Sequence, residues 1–383
     1  MLLRVPDFYD SFRCIAGKCT DTCCIGWEID IDEKSAKRYE KIKGEYGEIL
    51  RSGIEDGHFK LLPGDRCPFL RRDGRCDMIC HLGEDSLCDI CREHPRFVEV
   101  YGDIMEKGLG LCCEEAVRLL LNAKGTATSP IAFIEREIND EPDEIPEDAI
   151  EARDAFFEER EHLFKILADQ SRPFNERLIE LLDFAIETSD FEDSEQDNCN
   201  YSTSASSHAD CDKDNKISNN ILQSWIEILG KGESYGPAWD CAYTELAQVS
   251  RDLDKANEAA AKPSTIGESA GLFTDRDGEK IIAYLLFRYY EKSLFDGDSL
   301  TKVQFALYFW IMLQKFGTIF ANAGSSLTST APAVHDPQTA KINAVKLFSK
   351  QTEYSEEIMG ILEEAFIESP AFSPENFRRI LAE

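Results

Sequence analysis

The chain has 383 residues, of which 73 are acidic and 42 basic, for a formal net charge of −31; 43% are hydrophobic and 30% charged. These totals describe a globular chain long enough for two or three domains. So negative a field repels nucleic acid and anionic membrane, because binding either requires Lys and Arg to neutralise phosphates; it suits solubility, or a partner that presents lysines.

The first residues, MLLRVPDFYDSF, contain no basic segment followed by an apolar run, so they do not read as a signal peptide. A cytoplasmic location is expected, where thiols stay reduced. Cysteine usage then divides the chain: 11 of the 14 cysteines fall within residues 1–113, and only Cys199, Cys211 and Cys241 lie beyond. With loop signals at Pro63-Gly64, Asp73-Gly74 and Gly102-Asp103, this predicts a small cysteine-rich module over residues 1–125, with little regular strand. Gly26-Trp27 and the alternating residues 28–32 are expected to form a brief extended segment, with Trp27 shielding a metal site.

Residues 126–383 read as a helical domain. A helix is expected at 114–123, with Ala116, Leu119, Leu120 and Ala123 on one face. After an acidic link at 139–148, helices follow at 149–169 and at 173–187, the latter with Pro173 near its first turn. Residues 190–218 are polar and nearly free of large apolar groups, which predicts a flexible insertion containing Cys199 and Cys211 as bystanders. Further helices are expected at 219–230, 240–261, 277–295, 301–322 and 337–368. The apolar stretch 303–320 is broken by Gln304, Gln314 and Lys315 and reads as a core helix, not a membrane span. No alternating strand pattern recurs. The fold class expected is mainly α, a helical domain preceded by the cysteine-rich module.

Within that module Cys88-x-x-Cys91 has a chelating spacing, since thiolates one helical turn apart can face one metal atom. Cys14, Cys19, Cys23 and Cys24, Cys67 and Cys76, Cys80, and Cys112 and Cys113 are more loosely spaced, so distant segments must converge on any site. Disulfides fit poorly in a long chain with no export signal, and a redox relay lacks its strand–CxxC–helix setting. Metal or cluster binding remains, with zinc and iron–sulfur both open. His81 and His94 sit among the thiols as weaker ligand candidates, and Arg92 and Arg96 could offset the charge of a tetrathiolate cluster. The C-x-x-x-C-x-x-C arrangement of radical S-adenosylmethionine enzymes is missing: after Cys19 and Cys23, the next slot holds Gly26.

The segments YDSFRCIAGKCTDTCCIGWEIDID (9–32), RCPFLRRDGRCDM (66–78), LGEDSLCDICREHPRFVEVYG (82–102) and LCCEEAVRLLL (111–121) resemble the flagellin lysine-N-methylase family, and the broader CxxCxxCC group of zinc- or iron-chelating domains. The resemblance covers about a third of the chain and extends weakly through AYLLFRYYEKSLFDGD (283–298) and LFSKQTEYSEEI (347–358). It implies methyl transfer from S-adenosylmethionine to lysines of flagellin, with an iron–sulfur cluster, 4Fe–4S in type, bound by cysteines; zinc is the alternative. The family's cysteine positions fall on Cys14, Cys19, Cys23, Cys24, Cys67, Cys76, Cys88, Cys91 and Cys113. Cys80 and Cys112 occupy slots where the family has other residues. Glu114 stands where the family tends to have Pro, and no role carries onto the EYS segment, which continues as EEIMG.

A lysine must be neutral to attack a methyl group, and deprotonation at pH 7 costs about 4–5 kcal/mol from a pKa near 10.4. Tyr289, Tyr290, Asp296 and Asp298 form the best polar-aromatic cluster outside the cysteines, although Phe287 and Tyr290 also suit a helix core. Neither the base nor the S-adenosylmethionine pocket is legible from spacing. A non-catalytic zinc- or iron-binding scaffold is the competing reading.

Overall fold

The computed structural model describes residues 1–189, 211–259, 271–323 and 336–382. In chain order the first third holds β1 (Leu2–Pro6), α1 (Glu33–Glu40), α2 (Glu45–Ser52), β2 (Ile54–Glu55), β3 (His58–Phe59), α3 (Asp77–Leu82), α4 (Asp89–Glu93), β4 (Arg96–Tyr101), β5 (Ile104–Leu109) and α5 (Glu114–Asn122). Then come β6 (Phe133–Glu137), α6 (Glu147–Ala168), α7 (Phe174–Thr188), α8 (Cys211–Leu229), α9 (Pro237–Ala259) and α10 (Asp275–Tyr289). The last are α11 (Ser293–Asp296), α12 (Ser299–Ala323), α13 (Pro337–Thr352), α14 (Glu356–Glu368) and α15 (Pro374–Leu381). The described chain is mostly helical, as expected.

A sheet of order β4-β5-β1-β6 corrects the expectation of little strand. β4 and β5 form a hairpin closed by Gly102-Asp103, with Gly102 at φ +70°, a conformation glycine adopts without penalty. β1 joins β5 in parallel and β6 antiparallel, setting Arg4 beside Glu106. Those two charged side chains point inward: Arg4 and Glu106 are buried, and α6 meets them with Arg160. Binary patterning misses the sheet because ion pairs occupy positions where it looks for apolar residues.

Several helix expectations need correction. Residues 190–210 lie outside the described set, but 211–218 belong to α8 and not to an insertion. The segment 337–368 is two helices: Ser355 caps α14 by accepting a hydrogen bond from the Ile358 amide (3.2 Å). Such a cap satisfies an amide that a helix start leaves free. The segment 277–295 likewise ends early, through a 3₁₀ turn at Tyr290–Lys292 and α11. Pro173 is the cap residue of α7, one position before its first turn, and α15, capped by Ser373, has no counterpart in the sequence reading.

The described residues form two hydrophobic cores. The larger runs from Phe8 to Leu381 and is centred on α12, whose residues Phe305–Leu313 are all buried. A helix apolar on every side belongs in such a centre; no described helix is long and apolar enough to cross a membrane. The sheet's Leu109 and the α5 residues Ala116, Val117 and Leu120 join this core. The smaller core consists of Ile29, Tyr39, Leu50, Phe59, Phe69, Leu70 and Met78 with Cys67 and Cys88.

One buried side chain ties the end of the sheet to the helices. The Tyr284 hydroxyl of α10 donates to the Leu109 carbonyl (2.7 Å) and accepts from the Leu109 amide (2.5 Å). Tyr284→Phe would leave both buried backbone groups unpaired, which costs about 1–3 kcal/mol. Chemical denaturation of the variant should show that loss, and unchanged stability would refute the assignment.

Candidate metal centre

Each thiol's place follows from a local element. Cys76, Cys88 and Cys113 are the N-cap residues of α3, α4 and α5. Backbone amides one turn on face their sulfurs: Ile79 and Met78 at Cys76, Cys91 at Cys88, Ala116 and Glu115 at Cys113. Amides aimed at sulfur favour the thiolate. Cys24 and Cys67 are paired through the backbone, the Cys67 amide donating to the Cys24 carbonyl (2.9 Å). Asp32 links α1 to α4: one carboxylate oxygen accepts from the Ser35 amide (2.8 Å), the other from the Asp89 amide (2.9 Å). The Asp89 amide foremost holds the Asp32 carboxyl at about 2. Arg38 and Tyr39 fix the loop before Cys88 by donating to the Ser86 carbonyl.

The thiols act on one another. The charges bearing on Cys67 include Cys24, Cys76 and Cys88; on Cys91, they include Cys88, Cys24 and Cys67. Cys23 is influenced by Cys24, Cys14 and Cys113, and Cys19 by Glu114, Lys346 and Cys113. Burial opposes ionisation: desolvation pushes Cys67 up to about 12, and Cys19 to about 12 with Glu114 adding to it. Two thiols are exceptions. Cys24 and Cys88 come down to about 7, first because Cys23 and Cys91, respectively, donate hydrogen bonds to them. All of Cys14, Cys19, Cys23, Cys24, Cys67, Cys76, Cys80, Cys88, Cys91, Cys112, Cys113 and Cys241 are free thiols.

This donor set suits a soft cation or a cluster, for which deprotonated sulfur is the preferred ligand. No three of these thiols have their sulfurs within 4.8 Å of one another; the trio that close among the described residues is Glu28, Asp30 and His58, two of them exposed. Tetrahedral zinc, with Zn–S bonds of about 2.3 Å, would place its sulfurs about 3.8 Å apart.

Cys80 is exposed beside Cys76, while Cys112 is buried against the Tyr354 hydroxyl and the Arg288 guanidinium. Room for Tyr354 comes from Gly110, where a Cβ would lie 1.6 Å from the hydroxyl oxygen. His81 stacks on Tyr46 (4.3 Å) and His94 meets the edge of Trp27 (4.8 Å), so both histidines pack against rings. Trp27 donates its indole N–H to the Cys23 carbonyl (2.6 Å), contacts Tyr354 and packs against the small core that holds Cys67 and Cys88. Residues 28–32 form no strand; a bridge from Asp30 to His58 holds them extended.

The cations at the thiols differ from those expected. Arg92 pairs with Asp89 and Glu93, and Arg96 lies over the Phe12 ring (5.1 Å). Instead Arg66 acts on Cys24, and α13 brings Lys346 and Lys350 to the cysteine segment. Lys346 is 3% exposed; its ammonium lies 3.3 Å from Thr20 Oγ1, 3.2 Å from Asn343 Oδ1, and 3.8 Å from carboxylate oxygens of both Asp21 and Glu114. Glu114 in turn accepts from the Thr20 amide (2.8 Å) and lies 3.5 Å from Cys19 Sγ. The one sequence signal was a run of three lysines, Lys341, Lys346 and Lys350, along one mixed helix. Tyr289 and Tyr290 are buried in the large core, the latter donating to Glu159 (2.7 Å), and Asp296 pairs with Lys302 (2.6 Å). Tyr289 and Asp296 line a small cavity with Lys292, Thr301 and Lys302, while Tyr290 faces Glu159 inside the core.

The chain is similar to two proteins named lysine-N-methylase, from Salmonella typhimurium (strain LT2) and Salmonella choleraesuis, each 28% identical over 151 residues, covering 36% of this chain and 37% of the relative. It is also similar to the flagellar biosynthetic protein FliU of Salmonella muenchen, 29% identical over 130 residues, covering 30% of this chain and 75% of the relative. The match thus spans well under half the length of the lysine-N-methylases. No protein-family profile and no solved structure matches the chain.

Proposed function

We propose that this chain is a protein-lysine N-methyltransferase that uses S-adenosylmethionine on flagellin lysines, with an iron–sulfur cluster held by its cysteines. The observation that carries the reading is the gathering of thiols from four separated segments, in a chain whose relatives bear lysine-methylase and flagellar names. Cys67, Cys76, Cys88 and Cys91, with Cys24 beside them, would hold the cluster, which supplies redox or Lewis-acid chemistry when bound. The backbone amides of Met78, Ile79 and Cys91 would stabilise the thiolate charge, while Trp27 and the small core would limit water there. The target amine must lose its proton before transfer, by desolvation or a base.

Burial of Cys67 and Cys88 in the small core also fits a purely structural thiolate centre on a partner-binding scaffold. Anaerobic purification separates the two readings. The enzyme is expected to be brown, and to add multiples of about 14 Da (the mass of one methylene) to flagellin in the presence of S-adenosylmethionine. A colourless zinc protein that leaves flagellin unchanged would leave the scaffold.

Charge adds a kinetic expectation. A chain of net charge −31 draws lysine-bearing surfaces over a Debye length of about 8–10 Å, and added salt shortens that reach. The kcat/KM for flagellin should fall severalfold between about 50 and 300 mM salt. A rate independent of salt would rule out the attraction.

A further inference from the structure

We infer that the nine cysteines build two inorganic centres instead of one, the second ligated by Cys14, Cys19, Cys23 and Cys113. The inference rests on the reading that these thiols bind metal, and extends it to their number and partition.

A single cluster or zinc ion closes on four protein ligands, so nine converging thiols exceed one site. Their positions divide them. Cys67 and Cys88 belong to the small core, and Cys24, Cys76 and Cys91 pack against it. Cys113 packs against the large core, across the junction. The mutual influences follow the same line: Cys67, Cys76 and Cys91 sense Cys24 and one another's neighbours, whereas Cys113 senses Cys14, and Cys19 senses Cys113. Among the principal influences, the link that crosses is Cys23 to Cys24, adjacent in the chain and hydrogen bonded through their thiols.

The two groups also have different cations. Arg66 serves the Cys24 group. At the other, the buried Lys346 ammonium stands 3.8 Å from Glu114, whose carboxylate touches Cys19. Without a fixed cation, that carboxylate beside four thiolates would concentrate negative charge in a half-buried site. Lys350 adds a second cation through Asp21. Each thiol that ligates releases its proton to solvent, so loading this centre exchanges four S–H bonds for four metal–sulfur bonds.

The test uses the full chain, reconstituted anaerobically with iron and sulfide, and counts iron, sulfide and zinc per chain. Cys113→Ser, and separately Cys14→Ser at an exposed position, should each bind about half the metal of the unaltered protein. The retained half should keep its absorption, and circular dichroism should be unchanged. Different metals in the two halves would support the partition equally. Variants that keep the full complement would overturn the second centre, as would folded variants that lose all metal, which would show one shared site. Should Cys113→Ser not fold, Cys14→Ser decides. An unaltered protein that binds no metal overturns both this inference and the proposed function. One that binds both portions yet never methylates flagellin overturns only the methyl-transfer reading.

Discussion

Cys88→Ser should strip the metal from the Cys24, Cys67, Cys76, Cys91 group and unfold the small core around it. Cys88 is fully buried, caps α4, and is held near a pKa of about 7, first by the Cys91 thiol and then by the Cys91 amide. A serine oxygen is a harder and shorter donor, poorly matched to a soft metal. The apolar material left behind is slight: seven non-cysteine residues, from Ile29 to Met78, are buried in this core. A single core in a segment below about 70–80 residues rarely supplies more than about 3–5 kcal/mol, and metal binding to a structural thiolate site contributes on the order of 10 kcal/mol. Loss of the centre therefore exceeds what the core can offset. Hydrogen exchange should show residues 24–91 opening, while amides of α12, in the large core, stay protected. Full metal content in the variant would sink the assignment.

How much of this was legible in the sequence depended on whether a residue's role was local. α6, α7 and α12 were readable because apolar spacing and length announce a packed helix. The thiols were conspicuous because eleven of them crowd into 113 residues. Their grouping was hidden, since it depends on α5 turning Cys113 toward Cys14 while β2 and β3 fold the chain back beside residues 28–32. Lys346 was hidden for a related reason. In sequence it is one of three lysines on a mixed helix, and its meaning lies with Thr20 and Glu114, more than 200 residues away. The sheet was lost because Arg4 and Glu106 occupy inward positions, and a pattern of apolar alternation has no symbol for a pair of charges that cancel.

That cancellation predicts the largest effect away from the thiols. Arg160→Met should destabilise the protein by about 3–5 kcal/mol, because it strands buried acids without their cation. The Arg160 guanidinium grips Glu106 with two hydrogen bonds (2.8 and 2.6 Å), donates to the Phe287 carbonyl (3.1 Å), and lies over the Phe157 ring (4.7 Å). Its Nε is 3.1 Å from Glu291 Oε1, but out of line for a hydrogen bond, so both Glu291 oxygens are buried without a hydrogen-bond partner. Desolvation foremost pushes the Glu291 carboxyl up to about 8, with Arg160 opposing and Glu106 adding to the rise. At pH 7 the folded chain therefore keeps a proton on Glu291 that the unfolded chain has released. With more protons bound in the folded state, stability falls as pH rises from about 4.5 to about 8. Glu291→Gln mimics the protonated acid, so it should be neutral near pH 5, more stable than the parent by a few kcal/mol at pH 8, and flat in between. Urea unfolding at the two pH values measures this. A parent whose stability does not fall over that range would show that Glu291 is ionised in the fold, in which case Arg160 neutralises two carboxylates and Arg160→Met should cost more still. Because β5 carries Glu106 and runs on to Cys112 and Cys113, the pair also anchors the strand that delivers a thiol to the junction, so Arg160→Met should lower metal content along with stability.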